Sequence, residues 1–214
     1  MTVLVATAVP AEADAVRAGL GTADADVAAM GVGPAAAAAG TARRVALAEA
    51  AGRPYRAVIS AGVAGGFPGR VEVGAVVIAN RSLAADLGAE SVDGFLAIDA
   101  LGFGTSAYES DPELLASLKV ALPHACTGDI LTLTTVTGSA ETAVRLAAAH
   151  PAAVAEAMEG YGVACAAAMA GLPFVEVRTI SNPIGPRDRD AWRMAEALVA
   201  LTVAAKALVG LRPA

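Results

Sequence analysis

Apolar runs of strand length alternate with alanine-rich stretches of helix length along almost the whole chain. Residues 2–7 read as a first strand and 11–20 as a helix. A short strand follows at 27–30, and Pro34 is placed to open a helix over 35–51 after the turn "GVGP". Residues 57–60 predict a buried strand that ends in the glycine-rich turn "SAGVAGGFPG", with another strand at 71–79. Helices at 112–120, 139–149 and 161–170 then alternate with strands at 126–135, 154–158 and 174–180, and 190–211 predicts one long terminal helix. Between 80 and 110 the chain turns irregular and rich in Gly, Asp and Ser, which suits an excursion that covers a site or meets a partner subunit.

This alternation implies one α/β domain over residues 1–214 with a largely buried sheet. Ligands of such sheets bind beyond the carboxyl ends of strands. The unusual residues of the chain fall at those ends: 8–12, 30–33, 60–66, 135–138, 158–159 and 181–182.

Composition narrows the function classes. With 56% apolar and 17% charged residues, disorder is excluded. The net charge is -6 and the basic residues are scattered, which argues against nucleic acid as a partner. Cys126 and Cys165 lack metal-ligand spacing and read as buried free thiols of a reducing, cytoplasmic compartment. The N-terminus lacks a positive leader region, and Gly171-Leu172-Pro173 interrupts the longest uncharged stretch, so no membrane span is expected.

Four features carry candidate chemistry. Glu12 sits in the first turn of a helix, where the dipole alone would hold it, or it serves as a general base for water. Glu159 ends a buried strand, where a carboxylate needs donors, and the two hydroxyls of a sugar diol would supply them. Arg178 lies inside the strand "FVEVRTIS"; Glu176, on the same face, is its ordinary partner. Gly62 belongs to a glycine run that either cradles an anion or merely lets backbone pass closely. Trp192 lies either on a flap over a pocket or at the anchor of the last helix, and His124 and His150 read as surface residues.

The segments "AVPAEADAVRAGL", "GVGPAAAAAGT", "VISAGVAGGFPGRVEVGAVVIA" and "AMEGYGVACAAAMAGLPFVEVRTISN" together resemble the nucleoside phosphorylase and nucleosidase superfamily, in order and over nearly the whole chain. The variant "ISNPIGPRDRDAW" looks most like its futalosine-cleaving branch, which serves menaquinone formation. The resemblance implies a purine nucleoside phosphorylase-like fold with a central mixed, mostly buried sheet flanked by helices. It also implies cleavage of an N-glycosidic bond, no metal or organic cofactor, and a homo-oligomer, dimer or higher. By position, Glu12 matches the acid that activates water and Glu159 the acid that holds the ribose hydroxyls, with Met158 lining the sugar. Arg178 matches an arginine near the water and ribose. Val136 and Thr137 fall where backbone meets the purine, Gly62 and Ser181 belong to the same set of strand ends, and Asn182 matches the position that addresses purine N7.

Three departures from the family pattern stand out: Val63 replaces a serine, Ala157 an acid, and Asn182 the aspartic acid of adenine-cleaving relatives. "MGVGPAAAAAG" carries no arginine for a phosphate, which favours water over phosphate as the nucleophile. The amide is informative. Adenine offers N7 as an acceptor and its 6-amino group as a donor, and a neutral carboxyl matches both. Hypoxanthine offers two acceptors, N7 and O6, which the two N–H donors of asparagine can serve together. The expectation is hydrolysis of futalosine to hypoxanthine and its dehypoxanthine product, with phosphorolysis or adenine release as the alternatives.

Overall fold

The computed structural model describes residues 2–92, 94–209 and 211. The chain begins with β1 (Val3–Thr7), α1 (Pro10–Leu20), β2 (Ala25–Ala29), α2 (Pro34–Ala50), β3 (Ala57–Gly66) and β4 (Val76–Ala84). A hairpin of β5 (Gly88–Ser91) and β6 (Gly94–Ala97) precedes β7 (Ala107–Glu109), α3 (Pro112–Ala121), β8 (Cys126–Thr132) and α4 (Ala140–Ala149). Then come β9 (Ala153–Ala157), α5 (Gly160–Met169), β10 (Phe174–Pro183) and α6 (Met194–Ala205).

The sheet is mixed and closes on itself. Its order is β10-β4-β8-β9-β3-β1-β2, and β10 also pairs with β3. One flank of β3 pairs in parallel with β1 at Ala57–Ser60 and then antiparallel with β9 at Gly65 and Gly66. Its other flank runs parallel to β10 along nearly its full length. A single strand thus joins an open parallel sheet to a closed ring. Helices α1, α3 and α6 cover one face around Val5, Ile59, Val177 and Leu201. The other face, with Leu4, Val58 and Phe174, packs on Ala37 and Val45 of α2 and Val163 and Ala167 of α5. This is the α/β architecture the sequence predicts.

Four segments differ from expectation. The glycine run is strand rather than turn, and Gly62, Gly65 and Gly66 all avoid positive φ. They are small for another reason: a Cβ on each would lie 2.6–2.7 Å from a neighbouring side chain. The strand expected at 71–79 starts only at Val76, because Gly74 turns the chain at φ +86°. The stretch 80–110, expected to be irregular, holds the end of β4 together with β5, β6 and β7. The long terminal helix is broken: a 3-10 turn at Arg189–Ala191 leads to extended Trp192, then α6, then a second 3-10 turn at Lys206–Leu208. The break follows a tertiary bond, Arg193 N–H donating to the Ser181 carbonyl at 2.8 Å. Gly210, inside the expected helix, lies outside the described residues.

The helix pair α2–α5 depends on one missing methyl. A Cβ on Gly162 of α5 would lie 2.2 Å from the Pro34 carbonyl oxygen at the start of α2. Glycine to alanine inside a helix normally gains up to ~1 kcal/mol. Here the clash with backbone should outweigh that gain, so Gly162→Ala should lose about 1–3 kcal/mol. Urea unfolding of the two proteins checks this, and an unchanged or raised midpoint would refute the packing account.

Candidate active site

Glu12, the third residue of α1, is buried and fully engaged by backbone donors. Its Oε2 accepts from Ala8 N–H at 2.8 Å and Val9 N–H at 3.2 Å, which satisfies donors at the helix start. Its Oε1 accepts from Val63 N–H in β3 at 2.9 Å. The residue that departs from the family serine therefore still serves this acid through its main chain. Gly62 beside it leaves the room, since a Cβ there would meet Glu12 Oε1 at 2.6 Å and Arg178 Nη1 at 2.7 Å.

Arg178 is 1% exposed and joins several elements. Its Nε donates to Glu176 Oε1 at 2.8 Å, Nη1 approaches Glu159 Oε2 at 3.3 Å, and Nη2 donates to Ser60 Oγ at 3.1 Å. Glu176 also accepts from the Ser82 hydroxyl. The expected pair of Arg178 with Glu176 thus exists, beside contacts with Glu159 and Ser60. Burial opposes the guanidinium charge, but the fields of Glu176, Glu159 and Glu12 outweigh it and raise its pKa. Burial pushes the Glu176 carboxyl up, against the pull of Arg178 and Ser82. Glu159 caps α5 just beyond β9, and its Oε1 accepts from Gly33 N–H at 3.2 Å in the turn before α2. Gly160 is close to a side chain: a Cβ there would overlap Glu176 Oε2 at 2.0 Å.

A second group lies further along β3 and β10. Asn182 lines a cavity of about 100 Å³ with Gly65, Val136, Thr137, Glu156, Arg187 and Trp192. The register of β10 shifts at Ser181, which sets Asn182 opposite Gly65 rather than Gly66. The buried Ser181 hydroxyl donates to Asn182 Oδ1 at 2.8 Å, nearer than the Ala64 carbonyl at 3.2 Å. Asn182 Nδ2 donates to the Pro183 carbonyl at 2.9 Å and keeps its second N–H. Trp192 carries Arg187 over its ring at 5.7 Å. Trp192 lines the cavity and precedes Arg193, the cap of α6.

The structure therefore brings together Glu12, Gly62, Glu159 and Arg178 as one buried group. It places Asn182, Val136, Thr137 and Trp192 around one cavity, which the first group does not line. Ser181 braces the amide. Half-buried Met158 lies on the chain between Glu156 of the cavity and Glu159 of the acid group. From Gly62 to Gly65 along β3, the groups are roughly 10 Å apart. Glu156, buried and hydrogen-bonded by Thr137, was missed in the sequence. His124 is exposed as expected, but His150 is partly buried, and burial lowers its pKa. Cys126 and Cys165 are free and partly buried.

A profile of the phosphorylase superfamily matches residues 10–211. Futalosine hydrolase of Acidothermus cellulolyticus is 45% identical over 218 residues, covering 96% of this chain and 89% of that protein. Futalosine hydrolase of Streptomyces coelicolor is 53% identical over 151 residues, covering 71% of this chain but only 64% of that relative's length. Among solved structures, the futalosine hydrolase of Helicobacter pylori superposes with a TM-score of 0.81 at 19% identity, covering 97% of this chain and 95% of that one. A methylthioadenosine/S-adenosylhomocysteine nucleosidase of Colwellia psychrerythraea, in complex with adenine, gives 0.82 at 23% identity, covering 98% and 95%. These two superpositions share the fold. Among the described residues, no helix is long and apolar enough to cross a membrane.

Removing the guanidinium should expose its role. Arg178→Met leaves buried carboxylates uncompensated and should cost about 3–5 kcal/mol at pH 7. The raised Glu176 pKa climbs further without its cation. A carboxyl whose folded pKa lies above the unfolded one stabilises the fold below the unfolded value and loses that contribution as pH rises through the folded one. The variant should therefore gain stability as pH falls from 7 towards 5. Unfolding midpoints that fall over that range would contradict this.

Proposed function

The chain belongs to the phosphorylase superfamily, and on that premise we propose that it hydrolyses the N-glycosidic bond of futalosine, releasing hypoxanthine. The observation that carries this reading is the division of polar groups along β3 and β10. Acids and a guanidinium gather at one end, an amide with a spare donor at the other, and the separation suits a ribosyl group joined to a purine. The identities to futalosine hydrolases support the same substrate.

In this reading Asn182 Nδ2 turns from the Pro183 carbonyl to the N7–O6 edge of the departing base and stabilises the charge spreading there. Glu159, held by Gly33 and Arg178, faces the ribose hydroxyls. Glu12 takes a proton from the attacking water, its carboxylate oriented by three backbone N–H groups. The carboxylates of Glu12, Glu159 and Glu176 outnumber the one guanidinium they surround, so the local field favours a sugar that is becoming cationic. Val136, Thr137 and Trp192 enclose the base, and Gly62 and Met158 border the sugar.

The reading takes residues 1–214 as one nucleosidase domain acting in the cytoplasm, where two free cysteines remain reduced. It takes the active form as a homo-oligomer, because Phe95, Leu96 and Phe103 stand exposed between β5 and β7. No metal or cofactor takes part.

Product analysis tests the substrate. The chain should convert futalosine to hypoxanthine without phosphate, and faster than it converts aminofutalosine, inosine or methylthioadenosine. A requirement for phosphate, or faster release of adenine, would overturn the reading. Glu12→Gln and Glu159→Gln should each lower kcat by about 10²–10⁴-fold while the proteins stay folded. Unchanged turnover removes the corresponding role.

The amide makes a separate prediction. Asn182→Asp should shift kcat/KM from hypoxanthine-bearing towards adenine-bearing nucleosides by roughly 10–100-fold, the scale of one buried mismatched hydrogen bond. A ratio unchanged within error would show that another group reads the base.

A further inference from the structure

The mechanism above leaves two buried carboxylates unused: Asp129, which pairs with Arg81, and Glu156. Glu156 is 4% exposed, and none of the ion pairs among the described residues includes it. Its donors are both from Thr137, the backbone N–H at 2.6 Å and the hydroxyl, one on each carboxylate oxygen. A carboxylate oxygen has two lone pairs, so each retains one acceptor position. A buried acid without a cation is costly unless further donors reach it.

Its position in the sheet says where such donors would come from. Ala155 and Ala157 point into the core, so alternation along β9 turns Glu156 to the opposite face. There it pairs with Gly65 across the antiparallel β3–β9 contact, while Asn182 pairs with the same glycine from the other side. Two strand spacings put the backbones of Glu156 and Asn182 roughly 10 Å apart. Between them the sheet carries no side chain, and both residues line the same cavity. The cavity's cation, Arg187, is engaged over Trp192.

We propose that Glu156 is a specificity residue of the base site, its carboxylate accepting the N1–H of a 6-oxopurine whose N7–O6 edge is held by Asn182. This rests on the reading that the departing base is hypoxanthine. The two side chains then read different parts of one ring. Hypoxanthine carries hydrogen on N1 and acceptors at O6 and N7, so an acid and an amide fit it from two sides. Adenine has a bare lone pair at N1, which the carboxylate repels. Burial pushes the Glu156 carboxyl up, and the two Thr137 donors oppose it, favouring the ionised, accepting form.

Binding of free bases tests this without any bond cleavage, so failure of futalosine turnover would leave the result readable. Calorimetry with hypoxanthine, adenine and 1-methylhypoxanthine should show the wild-type chain favouring hypoxanthine at least ~10-fold over each of the others. Glu156→Gln replaces one acceptor by a donor, which clashes with N1–H or Thr137 and suits the bare N1 of adenine. It should weaken hypoxanthine ~10-fold or more and leave adenine within ~3-fold or tighter. Thr137→Val removes one donor that favours the accepting form and should weaken hypoxanthine more than adenine. Equal losses for both bases in Glu156→Gln would mean that the acid merely anchors the 137 loop, and would overturn the proposal. Should that variant not fold, a wild-type chain that binds adenine or 1-methylhypoxanthine as tightly as hypoxanthine overturns it equally. Preserved futalosine turnover beside any of these failures would leave the wider reading intact.

Discussion

The site depends on keeping one guanidinium charged inside a dry sheet. Arg178 is nearly inaccessible, and an isolated charge there would be prohibitive. Its partners come from separate parts of the chain: Glu176 from its own strand, Glu159 from the cap of α5, Ser60 from β3, and the field of Glu12 from α1. The converse holds as well. Acids brought this close would repel one another without a cation among them. The guanidinium and the acids therefore require each other, and the fold has to deliver all of them at once.

That requirement explains residues with no chemistry of their own. Gly62 and Gly160 sit where any side chain would overlap the ionic group, Gly62 against Glu12 and Arg178, Gly160 against Glu176. The β3 strand keeps extended geometry through its glycines because it must pair with β10 while passing beneath these side chains. A run that reads as a turn by composition is a strand by necessity. Local propensity favours the turn, and the cost of displacing a buried ion pair decides for the strand.

The alternation of elements and the acids at strand ends were legible because they follow from periodicity and from the scarcity of charge in an apolar chain. Glu12, Glu159 and Arg178 stand out for that reason. Glu156 obeys the same rule, a charge at an alternate position of the buried run "AVAEA", and was masked by the more conspicuous "MEG" beside it. The break before α6 was illegible, because its cause is the Arg193–Ser181 backbone bond between segments distant in the chain. The short strands between 80 and 110 were hidden by their glycine and aspartate content, which reports turns more strongly than it reports edge strands only three or four residues long.

The register shift at Ser181 couples the two ends of the site. Without it Asn182 would face Gly66, out of line with Glu156; with it both flank Gly65. The same serine engages Asn182 Oδ1, so the amide cannot present its oxygen to a ligand without breaking that bond, while one N–H stays spare beside the one given to the Pro183 carbonyl. An aspartate in this place would accept the serine's hydrogen equally well, yet would offer at most one proton to the base. The backbone irregularity thus sets where the leaving group is read, and one side chain sets what is read. Base preference can change there without disturbing the ionic group at Arg178, because the two share a strand but no hydrogen bond.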